Sequence, residues 1–478
     1  MVTNHIAIDL GASGTKIISG IFDGNLLKTK KIGGFRSYHY KNKDLNWWDF
    51  NKIYNSIMNK IKAFQNKHTV DSIGFDSWGV DFGLLDKDDK LILDPLQYRS
   101  MFHAKENIEK TIEENKDYIS HRVPTQYQPF NTIYQLLLFK KQFKEELSRA
   151  KTILSIPSLL AYKLAGQKYY EYTQATTTQL FNYRTNEWDI EMAKELGIPD
   201  IFPEVVGSGT IIGENNNSKI VLPATHDTAS AFASVPASSG KTMIISIGTW
   251  CLNGFVVTDI SNTEELIKRN YAVEGCADGR LRVIANTTGL WLFQKLRERL
   301  NSPNNPMTYE KMVKIAEEAP SFSAYIDVDD EALQKTEQMD KEIVNVAKRF
   351  SGRIPETLSG IARIALEGIA LKIRKTKEDL EGLFGNKVDK VRIVGGGVKN
   401  SLLCQMVADA LNLPVRAGPI DGTALGNILL QMKALKVIED LDQGYEVLKR
   451  SFHAEKYSPK NTELWENAFN DFMNLMNR

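Results

Sequence analysis

HIAIDLGASGTKIISGIFDGNLLKTKKIG, His5 to Gly33, decides the fold. HIAIDLG is short, apolar and strand-like, ASG turns, TKIISGIFD is a second strand, and DGN turns again into LLKTKKIG. Gly11 and Gly14 admit backbone torsions closed to other residues, so amides at this tip can face an anion without Cβ interference. Ser13 and Thr15 add hydroxyl donors and Lys16 a positive charge. Asp9, just ahead of the turn, is placed to hold a hydrated divalent cation near phosphates. The spacing is neither GxxxxGK[ST] nor GxGxxG, and the turn joins strand to strand, so neither a P-loop nor a dinucleotide-binding turn is present. An ordinary hairpin turn is the plain alternative.

The same shape returns in TMIISIGTWCLNGFVVTD, Thr242 to Asp259. Gly248 gives backbone approach there and Thr249 a hydroxyl donor. Two such hairpins are the weak internal similarity that duplicated folds show, and a phosphate clamp needs two walls. A third turn lies in VDKVRIVGGGVKNSLLCQMVADALN, strand, triple glycine, helix. Bare backbone around Gly396 suits a flat ring or an anion at a helix N-terminus, and Asn400 suits a base edge or a helix cap.

Working outward, NWWDFNKIYNSIMNKIKAFQNK carries Trp48, Ile53, Ile57, Ile61 and Phe64 at helical spacing. DSWGVDFGLLD is strand-like with Gly79 and Gly83 interrupting it. Residues 131–166 are mostly helical in pattern and stop at LAGQ. Helices are predicted from Leu292 to Leu300, Tyr309 to Glu318 and Pro355 to Leu383. Trp47, Trp48 and Trp78 offer flat faces to a ring-shaped ligand, although packing is the commoner use of aromatic rings. Strands alternate with helices in both halves, which makes the class α/β. A chain of 478 residues exceeds one hydrophobic core, so two domains are expected, 1–237 and 238–478.

Sixty basic and fifty-nine acidic residues leave a net charge of +1, which gives no reason to expect a nucleic-acid surface. Cys251, Cys276 and Cys404 are far apart, without metal-ligand or disulfide spacing, and fit a reducing compartment. No apolar run has membrane-spanning length and no signal-peptide pattern opens the chain, so a cytoplasmic protein, monomer or homodimer, is expected.

LPATHDTASAFASVP, Leu222 to Pro236, sets His226, Asp227 and Thr228 between an apolar run and small helix-compatible residues. Asp227 is a natural N-cap for a helix starting at Thr228. That use alone would give the carboxylate no chemistry.

Together, DLGASG, DSWGVDF, FNTIYQL, THDTASA, SIGTW, NTTGLWLFQ and IVGGGVKNSLLCQMVADA resemble, in order, the FGGY carbohydrate kinases, in particular their rhamnulokinase branch. The resemblance runs from residue 9 to about residue 430. It implies two ribonuclease-H-like domains of the actin and hexokinase superfamily, with ATP and sugar meeting in an interdomain cleft. It further implies that Asp227 is the general base on a ketose primary hydroxyl. His226 and Thr228 would line the sugar site, with Gly79 and Asn286 as further sugar contacts. Ala12, Ser13, Gly14, Thr15 and Lys16 match the first phosphate loop, Thr249 the second, and Gln294 and Gly396 further nucleotide contacts. Mg²⁺ would accompany ATP, held through water by Asp9. The expected reaction is phosphorylation of a 6-deoxy-ketohexose at C1, L-rhamnulose first and L-fuculose or another ketose as the alternative. The first loop departs from the branch, GASGTK standing for GASSGR, so Lys16 takes the place of an arginine. A non-catalytic nucleotide-binding relative would keep the glycine turns but have no use for the HDT corner or Asn286.

Overall fold

The structure, a computed structural model, describes residues 2–12, 14–260, 262–302 and 306–478; Ser13 of the first glycine turn lies outside them. The chain divides into two compact units. The first comprises Met1–Pro236, Val257–Val283 and Gly422–Phe452, and the second Ala237–Val256, Ile284–Asp421 and His453–Arg478.

The first unit is built on a six-stranded sheet in the order Thr210–Asn215, Ser218–Leu222, Ser72–Ser77, Thr3–Gly11, Gly14–Phe22, Leu27–Phe35. Thr3–Gly11 pairs antiparallel with Gly14–Phe22, which pairs antiparallel with Leu27–Phe35. Ser72–Ser77 is parallel to both Thr3–Gly11 and Ser218–Leu222. Three parallel strands therefore end together at one edge. Their near-continuous burial explains why HIAIDL lacks a polar alternation: Ile6, Ile8 and Leu10 pack on one face and Ala7 on the other.

Helices cover both faces. Phe50–Gln65 is capped by Asp49, which accepts from the Lys52 amide, and buries Phe50, Ile53, Ile57, Met58 and Ile61. It starts after Trp48, which instead closes the short strand Leu45–Trp48. On the opposite face Gly422–Ala434 contributes Ala424, Leu425, Ile428, Leu429 and Met432, packed with Ala7, Ile18, Phe22 and Leu27. The helical run expected over 131–166 is broken. Thr132–Gln142, Lys144–Arg149 and Ile156–Ala165 are helices, but Thr152–Ser155 is a strand paired with Phe82–Leu85. Its apolar side chains follow Lys151, whose amide donates to Leu85, and pairing overrides helical propensity there. The stop at Gly166 is as expected, with φ +72° at the C-cap.

The second unit repeats the pattern. Thr242–Ile247 pairs antiparallel with Trp250–Val257 and parallel with Lys390–Val394, which is parallel to Val415–Ala417. Leu281–Thr288 neighbours Trp250–Val257 and Glu455–Tyr457 closes the far edge. Helices Trp291–Leu300 and Tyr309–Glu318 fall where the sequence places them, and the long one spans Leu358–Phe384.

Candidate active site

In the first unit the chemistry gathers where the parallel strands end, the usual ligand edge of such sheets. Asp9 and Asp76 are register partners on adjacent strands, and Lys16 opposes Asp9 on the other side. Strand Ser72–Ser77 continues into a bridge between Ser77 and His226, the Ser77 amide donating to the Thr225 carbonyl at 2.9 Å. Gln174 fastens the same two strand ends, its Nε2 donating to the carbonyls of Trp78 (3.0 Å) and Thr225 (3.1 Å). Fully buried Glu171 fixes the corner from behind, accepting from the Thr225 amide (2.9 Å), Thr225 Oγ1 (2.8 Å) and Thr173 Oγ1 (2.6 Å).

That bridge settles the question of Asp227. The sheet holds His226 extended, at φ −82° and ψ 120°, so His226 takes the N-cap position and Asp227 is the first residue of helix Asp227–Ala233. The expectation that Asp227 caps a helix beginning at Thr228 is wrong by one residue. Among the described residues its carboxylate makes no capping bond. It is 29% exposed, accepts from Thr228 Oγ1 at 3.2 Å, and has His226 Nε2 3.6 Å from Oδ1.

Asp76, the first residue of DSWGVDF, has a role that its sequence neighbours do not reveal. It is fully buried, with Oδ2 accepting from Asn427 Nδ2 at 2.5 Å and Oδ1 without a partner among the described residues. Burial and the like charge of Asp9, with a further push from Asp227, drive its carboxyl well above the ordinary range, against Asn427 and Lys16. Such excess negative potential fits a hydrated divalent cation. Among the described residues no three His, Cys, Asp or Glu side chains form a direct metal cage, so a cation here would keep much of its water. Asn427 also contacts the Gly74 carbonyl, and Gln431 one turn on bonds Ile6 O (3.1 Å) and Asn427 Oδ1 (2.6 Å). Two amides at i and i+4 in an otherwise apolar helix were the available signal.

Gly79 sits in a strained turn. The next residue, Val80, has φ +72°, an outlier for a β-branched side chain. The turn is fastened by Asp81, a buried carboxylate that accepts from Trp48 Nε1 (2.7 Å), Trp78 Nε1 (2.8 Å), Gln135 Nε2 (3.1 Å) and the Tyr98 amide (3.2 Å). Trp48 and Trp78 are therefore packed against each other, centroids 4.5 Å apart, as supports of the turn. Ala12 and Gly14 at the first hairpin tip are partly exposed, Thr15 is buried and Lys16 is exposed.

In the second unit the tip at Gly248 and Thr249 is held by the start of helix Trp291–Leu300: Leu290 N donates to Gly248 O (2.9 Å) and Gly289 N to Thr249 O (3.1 Å). Gly289 lies so close that a Cβ there would stand 2.5 Å from the Trp250 carbonyl carbon, which accounts for the glycine of NTTGLW. The triple glycine divides its labour. Gly395 (φ +84°) and Gly397 are pressed on Ile247, whereas a Cβ on Gly396 meets nothing within 4 Å. Only Gly396 leaves backbone open to a ligand. Asn400 is fully buried; its Oδ1 caps the Leu403 amide (3.0 Å) and its Nδ2 donates to Tyr309 Oη (3.2 Å), so the cap is the role its geometry favours. Gln294 is half-buried on its helix. Asn286 Oδ1 is buried and without a partner among the described residues.

Residues 4–225 match the N-terminal domain of the FGGY family of carbohydrate kinases, and residues 243–435 match its C-terminal domain. The chain is 32% identical over 472 residues to the rhamnulokinase of Oceanobacillus iheyensis, covering 95% of this chain and 98% of that one. It is 32% identical over 464 residues to the rhamnulokinase of Halalkalibacterium halodurans, with 95% and 98% covered. Among solved structures, a gluconate kinase from Lactobacillus acidophilus superposes with TM-score 0.80 at 18% identity, covering 100% of this chain and 98% of that one. A ligand-bound xylulose kinase from the same organism gives 0.81 at 17% identity, with 99% and 98% covered. The α/β class and the two-domain actin and hexokinase architecture expected from the sequence are those of the chain.

Proposed function

The chain belongs to the FGGY family of carbohydrate kinases, and on that premise we propose that it transfers the γ-phosphoryl group of ATP to the C1 hydroxyl of L-rhamnulose. The observation that carries the reading is the Asp227 carboxylate, partly exposed at the ligand edge of the sheet and bonded there by the neighbouring Thr228 hydroxyl. The rhamnulokinases at 32% identity support the choice of sugar.

Asp227 accepts the proton of the C1 hydroxyl as its oxygen forms a bond to the γ-phosphorus. The bond from that phosphorus to the β,γ-bridging oxygen breaks, and ADP leaves with its electron pair. Such a transition state needs little covalent help; positioning and charge complement dominate. His226, Thr228, Gly79 and Asn286 orient the sugar, Asn286 through its Oδ1, which has no partner among the described residues. Ala12 to Lys16 and Thr249 bind phosphate oxygens, Gln294 and Gly396 the nucleoside side, with Asn400 shaping that wall as a cap. Asp9, through water, and Asp76 would hold Mg²⁺, which would supply neutralisation of phosphate charge. The enzyme works in the cytoplasm as a monomer or homodimer, its two family domains meeting in sequence near residue 237, without nucleic acid or membrane. No helix among the described residues is long and apolar enough to cross a membrane.

A panel of ketoses assayed with MgATP tests the reading. L-Rhamnulose is expected to give the highest kcat/KM; preference for L-fuculose would replace the sugar and keep the kinase. Asp227→Asn should lose turnover by about a thousandfold or more while still binding ATP. Near-normal turnover in that variant would remove Asp227 as the base.

A further inference from the structure

A buried ion pair behind His226 has no role in the reaction described so far. Glu274 and Arg282 lie on facing strands of the hairpin whose turn is closed by the Cys276 amide donating to the Arg280 carbonyl at 2.8 Å. Arg282 is fully buried. Its Nη1 donates to the Gly275 carbonyl and its Nη2 to Glu274 Oε2. The same Nη2 stands 2.6 Å from His226 Nδ1. The hairpin cannot drift: Gly275 N donates to Thr176 Oγ1 at 2.8 Å, and a Cβ on Gly275 would meet the Tyr172 ring at 2.2 Å. The Phe232 ring lies against the guanidinium, 5.8 Å from centroid to Cζ.

A guanidinium carries donors and no acceptor. At 2.6 Å from Arg282 Nη2, His226 Nδ1 must offer its lone pair, because a proton there would face another donor. Glu274 Oε2 is also near, at 3.3 Å, but it is the longer contact and already accepts from Arg282. Burial alone would raise the Glu274 carboxyl, yet the Arg282 guanidinium against it holds it down at about 2, so the arginine keeps its counter-charge. The imidazole proton is thereby assigned to Nε2, the nitrogen 3.6 Å from Asp227 Oδ1. That distance is too long for a hydrogen bond, which leaves the N–H available to another acceptor on the same side.

We infer that Arg282, braced by Glu274, is a positioning residue: it fixes His226 in the Nε2–H form, so that a hydrogen-bond donor stands beside Asp227 to receive a sugar hydroxyl oxygen. This deepens the proposed function and rests on His226 as a sugar ligand. Sugars with an acceptor oxygen adjacent to the reacting carbon are selected, and analogues lacking it are not.

The test uses the full chain labelled with ¹⁵N-histidine and long-range ¹H–¹⁵N correlation, His226 being assigned by its loss in His226→Gln. The wild type should show His226 protonated at Nε2 and bare at Nδ1. Arg282→Met combined with Glu274→Gln removes both charges together and strands neither. That folded double variant should populate both tautomers, raise the sugar KM about tenfold or more, and leave the ATP KM unchanged. A proton on Nδ1 in the wild type overturns the inference, as does a folded double variant whose sugar KM stays within about twofold of wild type. Should the double variant not fold, the wild-type tautomer decides alone. Absence of turnover on every ketose would instead end the substrate reading, and the spectrum would still judge Arg282.

Discussion

Protonation of Asp81 can be followed in the native protein, because its ligands are fluorophores. Burial drives this carboxyl from its ordinary 3.8 to about 7, even though Trp48, Trp78, Gln135 and the Tyr98 amide all donate to it. A shift of that size corresponds to on the order of 4 kcal/mol of preference for the neutral acid in the folded state. Because the folded value lies above the unfolded one, the contribution is fully present below pH 3.8 and is lost as pH rises toward about 7. Above that the carboxylate is ionised and the contribution is gone. Of seven tryptophans, Trp48 and Trp78 hydrogen-bond Asp81 directly. Tryptophan emission is therefore expected to titrate with a midpoint near 7 in the wild type and to be flat over the same window in Asp81→Asn. In urea unfolding followed by the same signal, the wild type should lose ground to the variant between about pH 4 and 7, the window set by this shift. A flat wild-type titration, or an identical one in Asp81→Asn, would refute the argument that burial outweighs four donors at this site.

Three further outcomes follow from the geometry. Gly396→Ala should fold normally, since the added Cβ meets open space, and should show its effect as a raised ATP KM. Gly397→Ala, whose Cβ would lie 2.5 Å from that of Ile247, should instead cost about 1–3 kcal/mol in unfolding free energy, read by calorimetry. Asn427→Leu leaves Asp76 Oδ2 without its buried donor and is expected to destabilise the first unit by about 3 kcal/mol in denaturant melts.

Local pattern carried the elements that depend on near neighbours. The two glycine hairpins, the helix Tyr309–Glu318 and the Gly166 stop follow from periodicity and turn chemistry within a few residues. The HDT corner was legible as a place where chemistry could occur, but not its register. Pairing of Ser77 with His226 decides that, across 149 positions of sequence, and it moves the helix start by one residue. The same reason hid Asp76, Asn427, Glu274 and Arg282. Each is unremarkable beside its neighbours, and its meaning comes from a partner brought by the fold. Asp81, in the same DSWGVDF stretch as Asp76, is hidden alike: the indoles that hold it and the positive φ of Val80 beside it leave no trace in composition.

The helix Gly422–Ala434 comes late in synthesis, yet Ala7, Ile18, Phe22 and Leu27 wait for it on the first sheet. While the ribosome is still building the second unit, one side of that sheet stands bare, with an apolar surface and the Ile6 carbonyl that Gln431 later caps. A nascent chain halted before residue 422 would be a client for chaperones and proteases.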